Sequence, residues 1–303
     1  MILNYCDPIW VYPKVDPEWH KTIIKEFSIH PVTAYVLASR NFKTLEEIHD
    51  FLYAKLPHLF DPDLFPDMDK AVHRVLQALS EKENILIYGD NDVDGITAAA
   101  LLTEFLRFIG GNVFFYIPNR NSLKQSLILD AIDFALQKEC KLIITVDCGI
   151  TSANEIEEAV KKKIDVIVTD HHEPTAKLPH CIATLNPKLF NSTYPNRNLT
   201  GVGVAFKLAH AITNTLIANG SISPTKIDLK RYLDLVALGT IADMGSLLGE
   251  NRILVRYGLR QMRKTRRIGL AKLFSICSLK LGEITPIDIA SKVAPRLNSL
   301  GRI

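Results

Sequence analysis

The segment Gly89-Asp90-Asn91-Asp92-Val93-Asp94-Gly95 sets three carboxylates at alternate positions directly after an apolar run, Ile85–Tyr88. Three such groups within a few ångströms repel one another unless protons or a cation compensate, so the spacing points to a metal. An EF-hand does not fit. That loop lies between helices and closes on a Glu at its twelfth position, which counted from Asp90 is Leu101. A solvated acidic turn remains the alternative for this segment taken alone. Two further apolar runs end in the same way, Leu142–Val146 at Asp147 and Val166–Thr169 at Asp170-His171-His172. A single Asp after a strand is usually a helix cap, and paired histidines on a loop usually face solvent. Their joint arrival reverses that reading, because ligands of an open parallel sheet bind outside the carboxyl ends of its strands. Carboxylates with one or two imidazoles suit Mn²⁺ or Mg²⁺, and this many carboxylates suit two ions sharing bridging oxygens. Asp243 adds a weaker sign. It ends the apolar helical run Leu233–Ala242, where a helix terminus prefers cations, so an acid kept there fits a metal.

These residues need a scaffold that delivers strand ends to one edge. From Asn84 onward, β-branched runs alternate with amphipathic helical segments: Ile85–Tyr88, a helix over 97–109, Val113–Ile117, a helix over 126–139, Leu142–Val146, a helix over 153–163, Val166–Thr169 and Ile182–Leu185. Such alternation predicts an α/β fold, a parallel sheet flanked by helices. Ser152-Ala-Asn-Glu155 matches a capping box at one strand-to-helix junction. Before the sheet, apolar residues at helical spacing (Ile23, Ile24, Phe27; Val32, Tyr35, Val36) predict a helical N-terminal lead-in. Beyond Thr200 the chain reads as helices broken at 220–224 and 282–286, a helical C-terminal connection. The expected division is 1–80, 81–220 and 221–303. Thr200-Gly-Val-Gly-Val before a helix at 205–217 lacks the third glycine and the preceding strand of a dinucleotide fingerprint.

The rest of the composition limits the function classes. The 303 residues carry 36 Lys+Arg against 33 Asp+Glu, a formal charge of +3, and 47% are hydrophobic. This is a globular composition, and too nearly neutral to hold a polyanion by charge alone. Runs such as Ile96–Leu102 fall far short of the ~20 apolar residues of a spanning helix, and the N-terminus lacks the pattern of a signal peptide, so a cytoplasmic protein without a membrane partner is expected. Five cysteines without a C-x-x-C pair read as reduced thiols.

Taken in order, Tyr88-Gly-Asp-Asn-Asp-Val-Asp-Gly-Ile-Thr, Ile144-Thr-Val-Asp-Cys-Gly-Ile-Thr, Val166-Ile-Val-Thr-Asp-His-His-Glu-Pro, Thr200-Gly-Val-Gly-Val-Ala-Phe and Gly239-Thr-Ile-Ala-Asp resemble successive motifs of the DHH phosphoesterase superfamily. Within it they are similar to the RecJ-type single-strand-specific 5′→3′ DNA exonucleases. The resemblance runs from about Leu37 and includes Asp61-Pro-Asp-Leu-Phe-Pro-Asp-Met-Asp-Lys-Ala and Ala294-Pro-Arg-Leu-Asn-Ser-Leu-Gly-Arg. It implies a two-metal phosphodiesterase of DNA repair and recombination, with Asp90, Asp92, Asp94, Asp147, His171 and Asp243 as ligands of two divalent cations, Mn²⁺ or Mg²⁺. Asp170, His171 and His172 are the implied catalytic group, Asp170 orienting the histidines and His172 standing behind the ligands or touching phosphate. By the same resemblance the helix start after Thr200 closes over the site, where its N-terminus favours a phosphate. Arg120, Arg296, Asn298 and Arg302 are candidate phosphate contacts, the arginines through their forked guanidinium. The cluster Arg260, Arg263, Lys264, Arg266, Arg267 lines a strand path or forms a solvated helix face. Single-stranded DNA is the implied substrate, a single-strand-binding protein or helicase the implied partner, and a monomer the implied state.

The chain also departs from that pattern. Asn91 stands between the first two motif acids, and Pro118-Asn-Arg-Asn-Ser-Leu-Lys-Gln-Ser-Leu replaces a segment that in the family carries Pro-His-Arg and an acidic, glycine-rich turn. RecJ-like proteins continue past the motif at Arg302 into a DHH-associated domain and an oligonucleotide-binding barrel, so the expectation is a truncated form with a thin binding surface. Activity on short oligonucleotides or small phosphoesters, and an inactive DNA-binding remnant, are the alternatives. The complete set of mutually repelling acids speaks against the inactive form.

Overall fold

The computed structural model describes residues 11–40, 42–118 and 127–299. They fall into two compact units, divided after Ala54. In the first, helices α1 (Pro17–Phe27), α2 (Pro31–Ala38) and α3 (Leu45–Tyr53) enclose Ile23, Ala34, Leu37 and Ile48. Local sequence sets their starts. Asp16 caps α1 by accepting the Glu18 N–H, and Thr44 and Glu47 form a reciprocal capping box on α3.

The second unit opens with two short 3₁₀ turns and α4 (Met68–Ser80). It then alternates through β1 (Asn84–Gly89), α5 (Val93–Phe108), β2 (Asn112–Tyr116), α6 (Leu127–Gln137), β3 (Cys140–Val146), α7 (Ala153–Lys161), β4 (Asp165–Thr169), β5 (Ala183–Leu185) and α8 (Gly201–Ala218). The five strands form one parallel sheet in the order β2-β1-β3-β4-β5, as the alternation predicts. Period-two alternation sends Ile85, Ile87, Leu142, Ile144 and Val146 into a core with α4, α5 and α8, and Leu86, Tyr88, Ile143, Val166 and Val168 into another with α6 and α7. Both faces being covered, each buried Ile or Leu stabilises the sheet by about 1.5–3 kcal/mol relative to exposure. Phe65, Met68, Ala71, Val72, Val75 and Ala78 also pack in the first of these cores, so residues 55–80 belong with the sheet and not with the helical lead-in.

Helix α8 is long and apolar enough to cross a bilayer by length and composition, but every residue from Gly201 to Ala209 is buried in the protein, which makes it a core helix. Helices α9 (Leu233–Ala242), α10 (Gly249–Met262) and α11 (Ile268–Ile276) follow, then α12 (Pro286–Asp288), a π-helical turn (Ile289–Val293) and α13 (Ala294–Asn298). Ala237, Leu238, Ile241, Leu259, Phe274, Ile289 and Val293 form a third core, which includes Val93 at the start of α5.

Three local expectations are corrected. Helix α5 begins at Val93 and not at residue 97, because Asp92 caps it by accepting the Gly95 N–H at 3.0 Å. Helix α8 likewise begins at Gly201 and not at 205, its glycines hiding the start from a propensity reading. Ser152 precedes α7 but makes no side-chain cap, its backbone (φ −102°, ψ 42°) lying outside the extended region that aims a hydroxyl at the third helical N–H. The four described cysteines, Cys140, Cys148, Cys181 and Cys277, are free thiols.

Candidate metal centre

In this strand order the chain leaves β1 and β3 in opposite directions, so the crevice at the carboxyl ends of these two strands is the topological switch point where such sheets bind ligands. The acids sit there because each is the first residue past its strand. Their own N–H groups extend the sheet ladder: Asp90 donates to Val146 O (3.3 Å), Asp147 to Thr169 O (2.9 Å) and Asp170 to Leu185 O (3.0 Å). Helix starts and ends bring the rest. Asp92 is the cap of α5, Asp94 lies in its first turn, and Asp243 is the C-terminal cap of α9.

The side chains converge on His171, whose Nε2 lies 3.0 Å from Asp147 Oδ1 and 3.9 Å from both Asp94 Oδ2 and Asp243 Oδ2. Asp90, Asp92 and Asp147 form one group whose oxygens lie within 4.8 Å of one another, and Asp94, His171 and Asp243 form a second such group. Asp147 with His171 and His172 makes a third. Asp147 Oδ1 and His171 Nε2 face each other without a hydrogen bond, and both are buried without a hydrogen-bonding partner. Orphaned lone pairs of this kind are costly unless something further binds them, and a carboxylate–imidazole set around them fits a divalent cation.

The backbone holds this geometry under tension. Asp147 has φ +61°, a left-handed conformation that costs a non-glycine residue of the order of 1 kcal/mol, and Gly149 follows at φ +109°. The N-terminus of α8 is pressed against the site, Asp94 accepting the N–H groups of Gly201 (2.7 Å) and Val202 (3.0 Å). Those donors are taken by a carboxylate of the chain itself, so they do not await a phosphate as the motif resemblance implied. A Cβ on Gly201 would lie 2.5 Å from Asp147 Cβ, and one on Gly239 2.6 Å from Asp94 Oδ1.

Burial, and then neighbouring Asp147, pushes the Asp94 carboxyl well above the usual range; burial with Asp92 and Asp170 does the same to Asp147. Burial also raises Asp243. Asp170 behaves in the opposite way. Burial pushes it up, but hydrogen bonds from the His172 ring (2.7 Å) and the Ile150 N–H (2.9 Å) outweigh that and leave it below the usual range. An ionised Asp170 can only accept, so the proton sits on His172 Nδ1, and the same bond raises the His172 imidazole. Asp170 also accepts the N–H groups of His171 and His172, which fixes both histidines.

Two positioning residues escaped the sequence reading. Asn186, fully buried just past β5, donates to the His172 carbonyl (2.9 Å), and Lys188 pairs with Glu173 (3.2 Å), close enough for its charge to act on Asp243. The dipeptide Asn186-Pro187 resembles ordinary loop sequence, so nothing marked it. Of the candidate phosphate contacts, Asn298 accepts the Val93 N–H through its Oδ1 (3.1 Å) and so braces α5 between Asp92 and Asp94. Arg296 is exposed and donates to Lys292 O. Arg120 and Arg302 lie outside the described residues. In the basic cluster Arg263 donates to the Ile284 carbonyl and Arg267 pairs with Asp234 and Glu104.

The chain is 38% identical over 97% of its length to the single-stranded-DNA-specific exonuclease RecJ of Bacillus subtilis, and spans 36% of that protein. Its fold matches the crystal structure of RecJ in complex with Mn²⁺ from Thermus thermophilus with a TM-score of 0.75 at 28% identity, over 95% of this chain and 40% of that one. It matches a manganese-bound exonuclease RecJ with a TM-score of 0.68 at 32% identity, over 78% of this chain and 58% of that one. The model of the DHH family N-terminal domain covers residues 84–240, over half the chain, and with them every member of the acid and imidazole cluster except Asp243. The chain belongs to the DHH family.

Proposed function

We propose that this chain carries the metal centre of a single-strand-specific 5′→3′ DNA exonuclease that acts in DNA repair and recombination. The observation that carries the reading is the pair of buried atoms without a hydrogen bond, Asp147 Oδ1 and His171 Nε2, surrounded by four further carboxylates at the sheet's switch point. The relatives named RecJ and the Mn²⁺ in their crystal structures support it. Asp90, Asp92, Asp94, Asp147, His171 and Asp243 would hold two divalent cations, which when bound lower the pKa of an attacking water and neutralise charge on the scissile phosphate. The chain's own residues prepare the rest. Asp94 is fixed by α8, His171 by Asp170, and His172 keeps its Nδ1 proton on Asp170 while its half-exposed ring remains free to meet phosphate.

Calorimetric titration with Mn²⁺ and hydrolysis of end-labelled single strands test this reading. Mn²⁺ binding and release of nucleotides from the 5′ end are expected, both lost in Asp147→Ala. A wild-type chain that binds no Mn²⁺ overturns the metal centre; one that prefers pyrophosphate or dinucleotides to long strands overturns the DNA substrate.

A further inference from the structure

The metal centre is ringed by polar groups, yet two loops beside it turn large apolar side chains into water. Phe190 is 103% exposed, and Met244, directly after Asp243 and at φ +56°, is 88% exposed. Scattered exposed apolar residues are ordinary. The Phe190 loop differs in being pinned on both sides of the ring. Asn186 holds the His172 carbonyl and, through its Oδ1, the Lys188 N–H (2.8 Å); Leu189 and Tyr194 are buried, and Arg197 donates to the Lys188 carbonyl (2.9 Å). Two residues span at most about 7 Å, so the Phe190 and Lys188 backbones lie within that distance, and Lys188 itself neighbours Glu173. An exposed ring on a pinned loop that also carries a cation is the composition of a single-strand binding surface, where bases stack on aromatic faces and phosphates meet ammonium groups.

We infer that Phe190 is a stacking platform for a nucleobase adjoining the scissile phosphate, with Lys188 contacting the phosphate next to it. The inference rests on the nuclease reading above and adds the place where that substrate's bases sit. Lys188 is paired with Glu173, which is itself exposed, so exchanging that pair for a phosphate is of low cost. Phe190 gives up nothing, since it touches no core.

The test compares Mn²⁺-loaded wild type, Phe190→Ala, Phe190→Trp and Lys188→Ala on two single strands, oligodeoxythymidine and the same backbone without bases. Phe190→Ala is expected to raise KM for the thymidine strand about tenfold, within the range that one stacked base supplies, with kcat and Mn²⁺ affinity unchanged and the abasic strand unaffected. Phe190→Trp restores KM. Lys188→Ala weakens both strands alike and lowers the slope of log affinity against log salt by about 1. An equal loss on the abasic strand, no loss on either strand, or a loss of Mn²⁺ affinity in Phe190→Ala overturns the platform while leaving the nuclease reading intact. A wild type that cleaves neither strand overturns the nuclease reading and the platform with it.

Discussion

Between the start of α8 and Asp147 there is room for a hydrogen atom and nothing larger. Gly201 is therefore required by close approach, its conformational freedom being irrelevant in a helical position. Gly201→Ala forces apart the Asp147 carboxylate and the N–H groups that hold Asp94. Mn²⁺ affinity is expected to fall at least tenfold in calorimetry, with the far-ultraviolet dichroism of the wild type retained; a variant with full affinity would show that the contact yields. The acids themselves were legible in sequence because each follows a strand buried on both faces, and such strands read as unbroken apolar runs. Asp170 was legible as an orienting group only through the motif. The bracing of α5 by Asn298 was not legible, because it depends on a contact between residues about 200 positions apart.

At the scale of elements, α8 joins the site to a buried ionic cluster. Lys207, without solvent exposure, contacts Glu250 of α10 and donates to Phe60 O (2.7 Å), while Glu250 accepts from Tyr194 Oη and the Phe60 N–H. Removing one member leaves an unpaired buried charge, so Lys207→Met is expected to lower stability by about 3–5 kcal/mol in urea unfolding, and the added Glu250→Gln to recover part of it. One turn further along, burial and then Lys207 push the His210 imidazole down to about 4. Below about 6.5 the unfolded chain binds a proton that the folded chain refuses, so stability is complete above pH 6.5 and falls as pH drops towards 4, by up to about 3 kcal/mol. His210→Phe should remove that part of the slope, read as the difference between the two unfolding curves. The strands and the middle of each helix were plain from periodicity. The first turns of α5 and α8 were not, because Gly95, Gly201 and Gly203 are poor helix formers kept there by close packing, against the Asp90 backbone, the Asp147 carboxylate and the Leu199 side chain respectively.

Over the whole molecule the +3 charge conceals a local excess of one sign, with Asp90, Asp92, Asp94, Asp147 and Asp243 gathered at one crevice. The acids come from β1, α5, β3 and α9, so residues about 150 positions apart must meet against mutual repulsion. Cation binding is then also folding energy. Mn²⁺ at a hundredfold excess over its Kd should add about 2.7 kcal/mol to the unfolding free energy, measured as a shift in the urea midpoint that Asp147→Ala abolishes. The order of assembly follows from the same geometry. Closing a loop of that length against like charges is the slow way to complete a crevice, so refolding in chelator is expected to lag refolding in Mn²⁺, with the sheet formed in both and only the docking of α9 delayed. The bound ion would thereby also act as the clasp that lets the last helices close.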